Sequence, residues 1–457
     1  MRNLKRTLSL VMAMALIVGM MVVSASAASY NNLTDKDEIV NKDAVSMLVS
    51  LGIIEGKPDG SYGPTENVDR AQMAKMLSVI MNKGVDNSAL YQSVNSGLVD
   101  VNTNWAKGHI NYCYTTGIIA GRGTGTFDPS ATVTALEAAK MLLVAVGYDP
   151  AIEGFEGADW AINVSVRADE QGIFEGFTKD LSAPLNRDDA ALLIYNALDV
   201  EMIQSYTTNN YPIAYSDHRT ILADKYGVIK VQGVVVANEW ASLASDDGDA
   251  ALKEGKTTIY NGEGIFSTTG HTTVSKEDAS LKTQTFNVST PVDMLGKTVN
   301  LYIKKTTILA DSTVYGDPVV SDVNTVVTTG ETVLYSGAKD PQVDYDKLLG
   351  ENGLTDKDAK YFWNYNSGKY IPNTTEKYGD KTANVKGATL TIIDNNGDGE
   401  VDYVLSVEKA LADITSVNSK KETVTVRTLG TLDNKDVVGY EDMAKEDVVL
   451  YVQYGGR

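Results

Sequence analysis

The sequence predicts a multidomain α+β protein: an all-α module of three helix–loop–helix repeats, then a β-rich region of sandwich or barrel modules. Three observations predict it. A Gly-Ile-Ile-type pattern recurs, its neighbours carry apolar residues at helical intervals, and after about residue 205 the spacing changes to the alternation of strands. The composition suits a folded chain, since 457 residues with 43% apolar and 22% charged side chains make a globular rather than a disordered balance. Lys+Arg 40 against Asp+Glu 60 leaves a net charge of −20. Such a chain lacks the cations that displace counterions from bulk nucleic acid, so no nucleic-acid partner is expected. The single cysteine, Cys113, excludes an intrachain disulfide, and His109, His218 and His271 leave little for a zinc site.

The chain opens with Arg2, Lys5 and Arg6, an apolar run over 8–23, and Ala25-Ser26-Ala27. That is the charge, apolar stretch and small-residue cleavage pattern of an export signal over residues 1–27. The run falls short of the ~20 residues a spanning helix needs, so no membrane contact is expected after cleavage. Export without disulfides, with 24 Tyr against 7 Phe, fits a Gram-positive envelope.

The repeats follow, over 28–90, 91–150 and 151–204. Gly52-Ile53-Ile54-Glu55-Gly56 recurs as Gly117-Ile118-Ile119-Ala120-Gly121 and Gly172-Ile173-Phe174-Glu175-Gly176. Upstream, Ala106, Ile110 and Cys113, and then Ala161, Val164 and Ala168, are spaced as one face of a helix. The first glycine of each motif stands where a helix stops in a left-handed conformation. Lys57-Pro58-Asp59-Gly60 reads as a turn, with Pro presetting φ and Gly accepting a positive one. A second helix then begins on a cap. Thr134-Ala135-Leu136-Glu137 is a capping box, and Asp69-Arg70-Ala71-Gln72 and Asn186-Arg187-Asp188-Asp189 follow the same plan. Arg70 and Arg187 are out of place at the positive end of a helix dipole. An anionic ligand explains them, and a solvated surface position is the alternative. With Asp69 and Asn186 still capping, loss of either arginine is expected to leave folding unharmed.

These repeats resemble S-layer homology domains, whose pattern runs Phe-x-Asp-Val, Trp-Ala, Gly-Ile-Ile-x-Gly-x-x-Asp-Gly-x-Phe-x-Pro, then Thr-Arg-Ala-Glu. The second unit matches through Leu98-Val99-Asp100-Val101, Trp105-Ala106, Phe127-Asp128-Pro129 and Thr134-Ala135-Leu136-Glu137. The first supplies Leu33-Thr34-Asp35, Asp59-Gly60-Ser61-Tyr62-Gly63-Pro64 and Asp69-Arg70-Ala71-Gln72, and the third Trp160-Ala161, Pro184 and Asn186-Arg187. The resemblance implies a pseudo-threefold module held to the cell wall, with grooves that take a pyruvylated secondary wall polysaccharide. Carried over, it nominates Arg70, Arg187, Asp59, Gly60, Trp105 and Trp160 as binding residues, and it extends the partners to other surface-layer subunits. Ala135 stands where the second arginine belongs, Val40 where the first tryptophan does, and Thr124 replaces the turn Asp. The third unit lacks the Asp-Gly turn. Not all three grooves are therefore expected to bind, and arginine at 135 is expected to tighten binding.

Beyond residue 205, strands are expected near 228–236, 298–303, 390–393, 401–405, 422–426 and 448–452, paired antiparallel. Two modules, 205–340 and 341–457, would meet within 337–378, with the second ending mid-module. The loop from Asp394 through Asn396, Asp398 and Glu400 to Asp402 has the oxygen spacing of the first part of a calcium loop, although Leu405 replaces its last ligand. A plain Gly/Asn/Asp turn is the alternative. No nucleophile elbow, zinc-binding helix or Walker loop is present. The expected function is a non-enzymatic surface protein of the cell wall, requiring no cofactor unless the loop takes calcium. The runner-up is a wall-anchored enzyme or carbohydrate-binding protein with its activity in residues 205–457.

Overall fold

The computed structural model describes residues 30–123, 125–243, 251–266, 280–306, 308–329, 345–365, 388–437 and 439–452. The expected leader, residues 1–27, and Thr124 lie outside them. Among the described residues no helix is long and apolar enough to cross a membrane. The chain divides into two compact units that part between Ile229 and Lys230, with Tyr315–Asp317 counted to the first.

Among the described residues six α-helices build the first unit: α1 (Lys42–Ser50), α2 (Arg70–Met81), α3 (Lys107–Thr115), α4 (Ala135–Val146), α5 (Trp160–Glu170) and α6 (Arg187–Leu198). The expected caps are in place. Asp69 with Gln72 and Thr134 with Glu137 form reciprocal capping boxes, while Asn186 accepts the Asp189 N–H alone. Gly52, Gly117 and Gly172 follow α1, α3 and α5 at φ of +69°, +79° and +70°. Only glycine reaches those angles without strain, which is why the motif begins with it.

The two helices of a repeat do not take each other as principal partner. Each first helix packs on the second helix of a neighbour: α3 on α2, α5 on α4, and α1 on α6. Backbone bonds run the same circuit. Val68 N–H donates to Leu185 O at 2.8 Å, Leu185 to Val133 at 2.7 Å, and Val133 to Val68 at 2.9 Å. The orphan N–H groups that open each second helix find acceptors in the next repeat's loop: Arg70 on Ala131, Leu136 on Leu181, Arg187 on Glu66. A repeat with one apolar stripe cannot bury it alone, and this exchange covers all three. Met73, Leu77, Ile110, Leu143, Val164 and Leu193 are sealed in consequence, each at most 1% exposed. A hairpin of β1 (Ile203–Tyr206) and β2 (Pro212–Ala214), with a helical turn over Leu222–Tyr226, completes the unit. The boundary of compactness therefore falls later than the change of composition.

Among the described residues three sheets fall chiefly to the second unit. One orders β5 (Thr283–Phe286), β4 (Thr257–Tyr260), β3 (Val228–Asn238), β6 (Thr298–Lys304) and β7 (Thr313–Val320). Another orders β8 (Thr325–Thr328), β10 (Ala388–Asp394), β11 (Tyr403–Glu408) and β9 (Lys360–Trp363). Here the sequence expectation fails twice. β8 pairs with β10, so a module boundary at 340/341 would cut a sheet in two. And β9 pairs with β11 in parallel. The reason is α7 (Tyr345–Glu351), which lies between β8 and β9 in the chain; a crossover that carries a helix returns in the same direction, as a tight hairpin cannot. That helix covers the sheet through Tyr345 and Leu349, against Leu390, Ile392 and Val404. The last sheet, β14 (Gly430–Asp433), β13 (Thr423–Val426), β12 (Ala410–Asn418) and β15 (Val448–Tyr451), closes its own small core around Ile414 and Val424. Among the described residues all three strand orders are open, so none of these sheets closes into a barrel.

Candidate functional site

The repeat ring leaves two grooves of like construction on the first unit. The first, of about 220 Å³, runs along Ile53, Ile54, Glu55 and Gly56, and is closed by Tyr62, Lys75, Met76, Trp105 and Arg187. The second, of about 530 Å³, runs along Ile118, Ile119, Ala120 and Gly121, and is closed by Arg70, Arg122, Glu137, Lys140, Met141 and Trp160. Each draws on all three repeats. The Gly-Ile-Ile motif and one second helix come from one unit, the tryptophan from the unit after it, and the arginine from the unit before it around the ring.

Cations dominate both grooves. Lys75 sits 3.8 Å from Glu55, and Lys57 pairs with Glu66. In the second groove Lys140 Nζ donates to Phe155 O at 2.6 Å and stands 5.7 Å from the Trp160 ring centroid. Partial burial pulls its ammonium pKa down, Glu156 opposes that, and Arg70 adds to it. Arg122 donates to Glu137 Oε1 at 2.7 Å, and Arg70 lies 3.7 Å from the same oxygen. Two arginines and a lysine thus share Glu137 and Glu156 for counter-charge, an arrangement that favours an anion.

The two arginines have a task that helix reasoning did not show. Arg70 is only 4% exposed. Its Nε donates to Phe127 O at 2.8 Å and its Nη2 to Ala120 O at 3.1 Å, with the guanidinium 4.4 Å above the Phe127 ring. Arg187 repeats this on the first repeat: Nε to Tyr62 O at 2.8 Å, Nη2 to Glu55 O at 3.3 Å, and 4.7 Å to the Tyr62 ring. Each guanidinium holds the loop that forms a groove wall, so the expectation that its loss leaves folding unharmed is corrected by these carbonyl bonds. An aspartate braces the same loop from the other side. Asp35 accepts the Tyr62 and Gly63 N–H groups, and Asp100 those of Phe127 and Asp128, all within 3.1 Å. Burial alone would raise both carboxyls, but these backbone bonds prevail and hold them below the usual range.

Asp59 and Gly60 fall outside the groove lining. The Asp59 side chain accepts the Ser61 N–H at 3.0 Å and Oγ–H at 2.7 Å, and Gly60 takes φ +85°, so the pair shapes the turn. Trp105, 58% exposed, and Trp160 do line grooves. Lys75 and Lys140 were missed by sequence reasoning. A signal existed: Gln72-x-x-Lys75-Met76 and Glu137-x-x-Lys140-Met141 occupy the same places in two helices.

The third junction lacks this lining. Ala135 stands at the arginine position, Ser182 at the aromatic, Leu192 at the lysine and Val40 at the tryptophan. Val40 is held there by its N–H bond to Asp188 at the start of α6, and is 81% exposed.

In the second unit the 394–402 loop buries Asp394, leaves Asp398 exposed, and spends its aspartates on its own backbone. Asp394, 1% exposed, accepts the N–H groups of Asn396, Gly397 and Gly399, Asp398 that of Glu400, and Asp402 that of Asn395. Glu400 pairs with Lys357. Among the described residues no three acids, histidines or cysteines group as metal ligands would.

The S-layer homology domain model matches residues 32–74 and 99–139, within the first two of these interlocked repeats. The third unit lies outside both matches. The chain is 28% identical over 270 residues to a cell surface protein of Thermoanaerobacter kivui, covering 59% of this chain and 32% of that one. It is 24% identical over 393 residues to the surface-layer 125 kDa protein of Lysinibacillus sphaericus, covering 83% of this chain and 30% of that one. An exoglucanase of Acetivibrio thermocellus is 28% identical over 192 residues, 39% of this chain and 17% of that protein. The chain thus spans about a third or less of these relatives. With its S-layer homology domains and surface-layer relatives, it is a secreted surface protein of the cell wall and S-layer.

Proposed function

We propose that the first unit anchors the chain non-covalently to the wall by binding an anionic secondary wall polysaccharide, with its three repeats acting as one pseudo-threefold module. The observation that carries this reading is the recurrence of one lining in two grooves: an arginine over an aromatic ring, a lysine on the second helix, and a tryptophan from the next repeat. Lysine and arginine suit carboxylates, and an indole face suits the apolar side of a sugar ring. The third repeat is a divergent copy whose junction keeps the ring closed and takes no ligand. The role is structural and non-enzymatic, with other surface-layer subunits as lateral partners. The intact mature chain is expected to sediment with sacculi that retain their secondary polymer, and to stay in solution once acid has stripped it. Equal sedimentation in both cases overturns the proposal.

At the 394–402 loop the backbone bonding favours a turn over a calcium site. Millimolar calcium is then expected to leave the melting of the second unit unmoved. A rise in midpoint that Asp398→Ala abolishes would establish the calcium reading instead.

A further inference from the structure

His109, on α3, is 4% exposed where that helix crosses α2. Its Nδ1 lies 2.6 Å from Ser78 Oγ, and the Ser78 hydroxyl already donates to Lys75 O at 2.9 Å. A hydroxyl has one hydrogen, so Nδ1 carries the other and donates to Ser78. Nε2 is the nitrogen left to titrate, 3.7 Å from Asp86 Oδ1 on the loop after α2. Lys75, on α2, is the second charged group facing the ring. Burial lowers the imidazole pKa, Asp86 resists, and Lys75 pushes the same way as burial, so the ring is neutral at neutral pH.

Two of the neighbours line the first repeat's groove. Trp105 meets the imidazole edge to face, with centroids 6.4 Å apart at 65°, and Lys75 closes the groove beside it. Packing alone does not ask for this polar pair. At the matching crossing of α4 and α5 the same two positions hold Leu143 and Val164, both fully buried. The second groove therefore has no titratable group behind it at that place.

We propose that His109 is a positioning residue that links anion binding in the first repeat's groove to proton uptake: a carboxylate-bearing ligand there draws a proton onto Nε2. The inference rests on the anchoring function proposed above. Lys75 opposes protonation of His109 through its charge. An anion that pairs with Lys75 offsets that opposition, while Asp86 stands ready to accept the new N–H. By linkage the reverse holds, and a proton on His109 tightens the ligand by the same factor.

The test measures sedimentation of the intact chain with polymer-bearing sacculi at pH 7 and pH 5. The wild-type chain is expected to bind on the order of 5-fold tighter at pH 5, the low end of couplings between sites. His109→Gln keeps a donor for Ser78 and cannot titrate, so its affinity should hold steady across the same interval. If it fails to fold, Ser78→Leu with His109→Val transplants the apolar pair of the other crossing and takes its place. A variant that tightens as much as wild type, or a wild type that does not tighten, overturns the linkage. Absence of sedimentation at both pH values would instead remove the anchoring function itself.

Discussion

Replacing Arg70 by alanine is expected to destabilise the first unit by roughly 2–4 kcal/mol, because two carbonyl oxygens at a closed inter-repeat contact lose their donors. Phe127 O and Ala120 O accept from the guanidinium, and at 4% exposure of Arg70 water has little access to replace it. For a unit of this size that loss corresponds to a midpoint lowered by roughly 5–15 °C in a thermal melt. Arg187→Ala should cost about half as much, since Arg187 is only partly buried and its bond to Glu55 O is 3.3 Å long. Arg70→Lys should recover part of the loss, as an ammonium lacks the planar fork that spans both acceptors. A change below about 0.5 kcal/mol for Arg70→Ala would return it to the class of solvated surface residues.

Lys75→Met and Lys140→Met should each weaken wall binding by about tenfold, the worth of one charge-assisted bond of roughly 1.5 kcal/mol or more. Together they should weaken it by about a hundredfold or beyond, because two grooves on one rigid ring engage a polymer bivalently and both contacts are lost. Lys75 makes only an exposed pair with Glu55, so Lys75→Met should barely move the melting curve, whereas Lys140→Met also removes the donor on Phe155 O and should lower the midpoint modestly. Sedimentation that ignores the double variant would remove both grooves from the site. Arginine at 135, a gain when the motif is read alone, is expected to add nothing by itself. Ser182 offers it no ring, and Leu192 and Val40 supply neither the second cation nor the indole.

Much of the first unit was legible because its signals are local. Caps at Asp69, Thr134 and Asn186 act within four residues, and the glycines at 52, 117 and 172 act on their own φ angles. The candidate site was half legible. Both arginines and both tryptophans belong to the grooves, while Asp59 and Gly60 only shape a turn. The dipole argument found the arginines by their misfit, yet assigned that misfit wholly to a ligand because the carbonyls that meet them lie 50 or more residues away in the chain.

By itself, then, the sequence determined where helices start and stop, that three like units precede a strand-rich region, and that the chain is acidic. These follow from hydrogen bonds, side-chain periods and charges that a short window contains. Only the tertiary structure decided that α3 rests on α2 rather than α4, that Lys75 and Trp105 share a groove with Arg187, and that β9 runs parallel to β11. Each of those pairings is chosen among surfaces of similar local pattern by which of them, once the ring or the sheet is complete, leaves no apolar stripe bare and no backbone donor unmet.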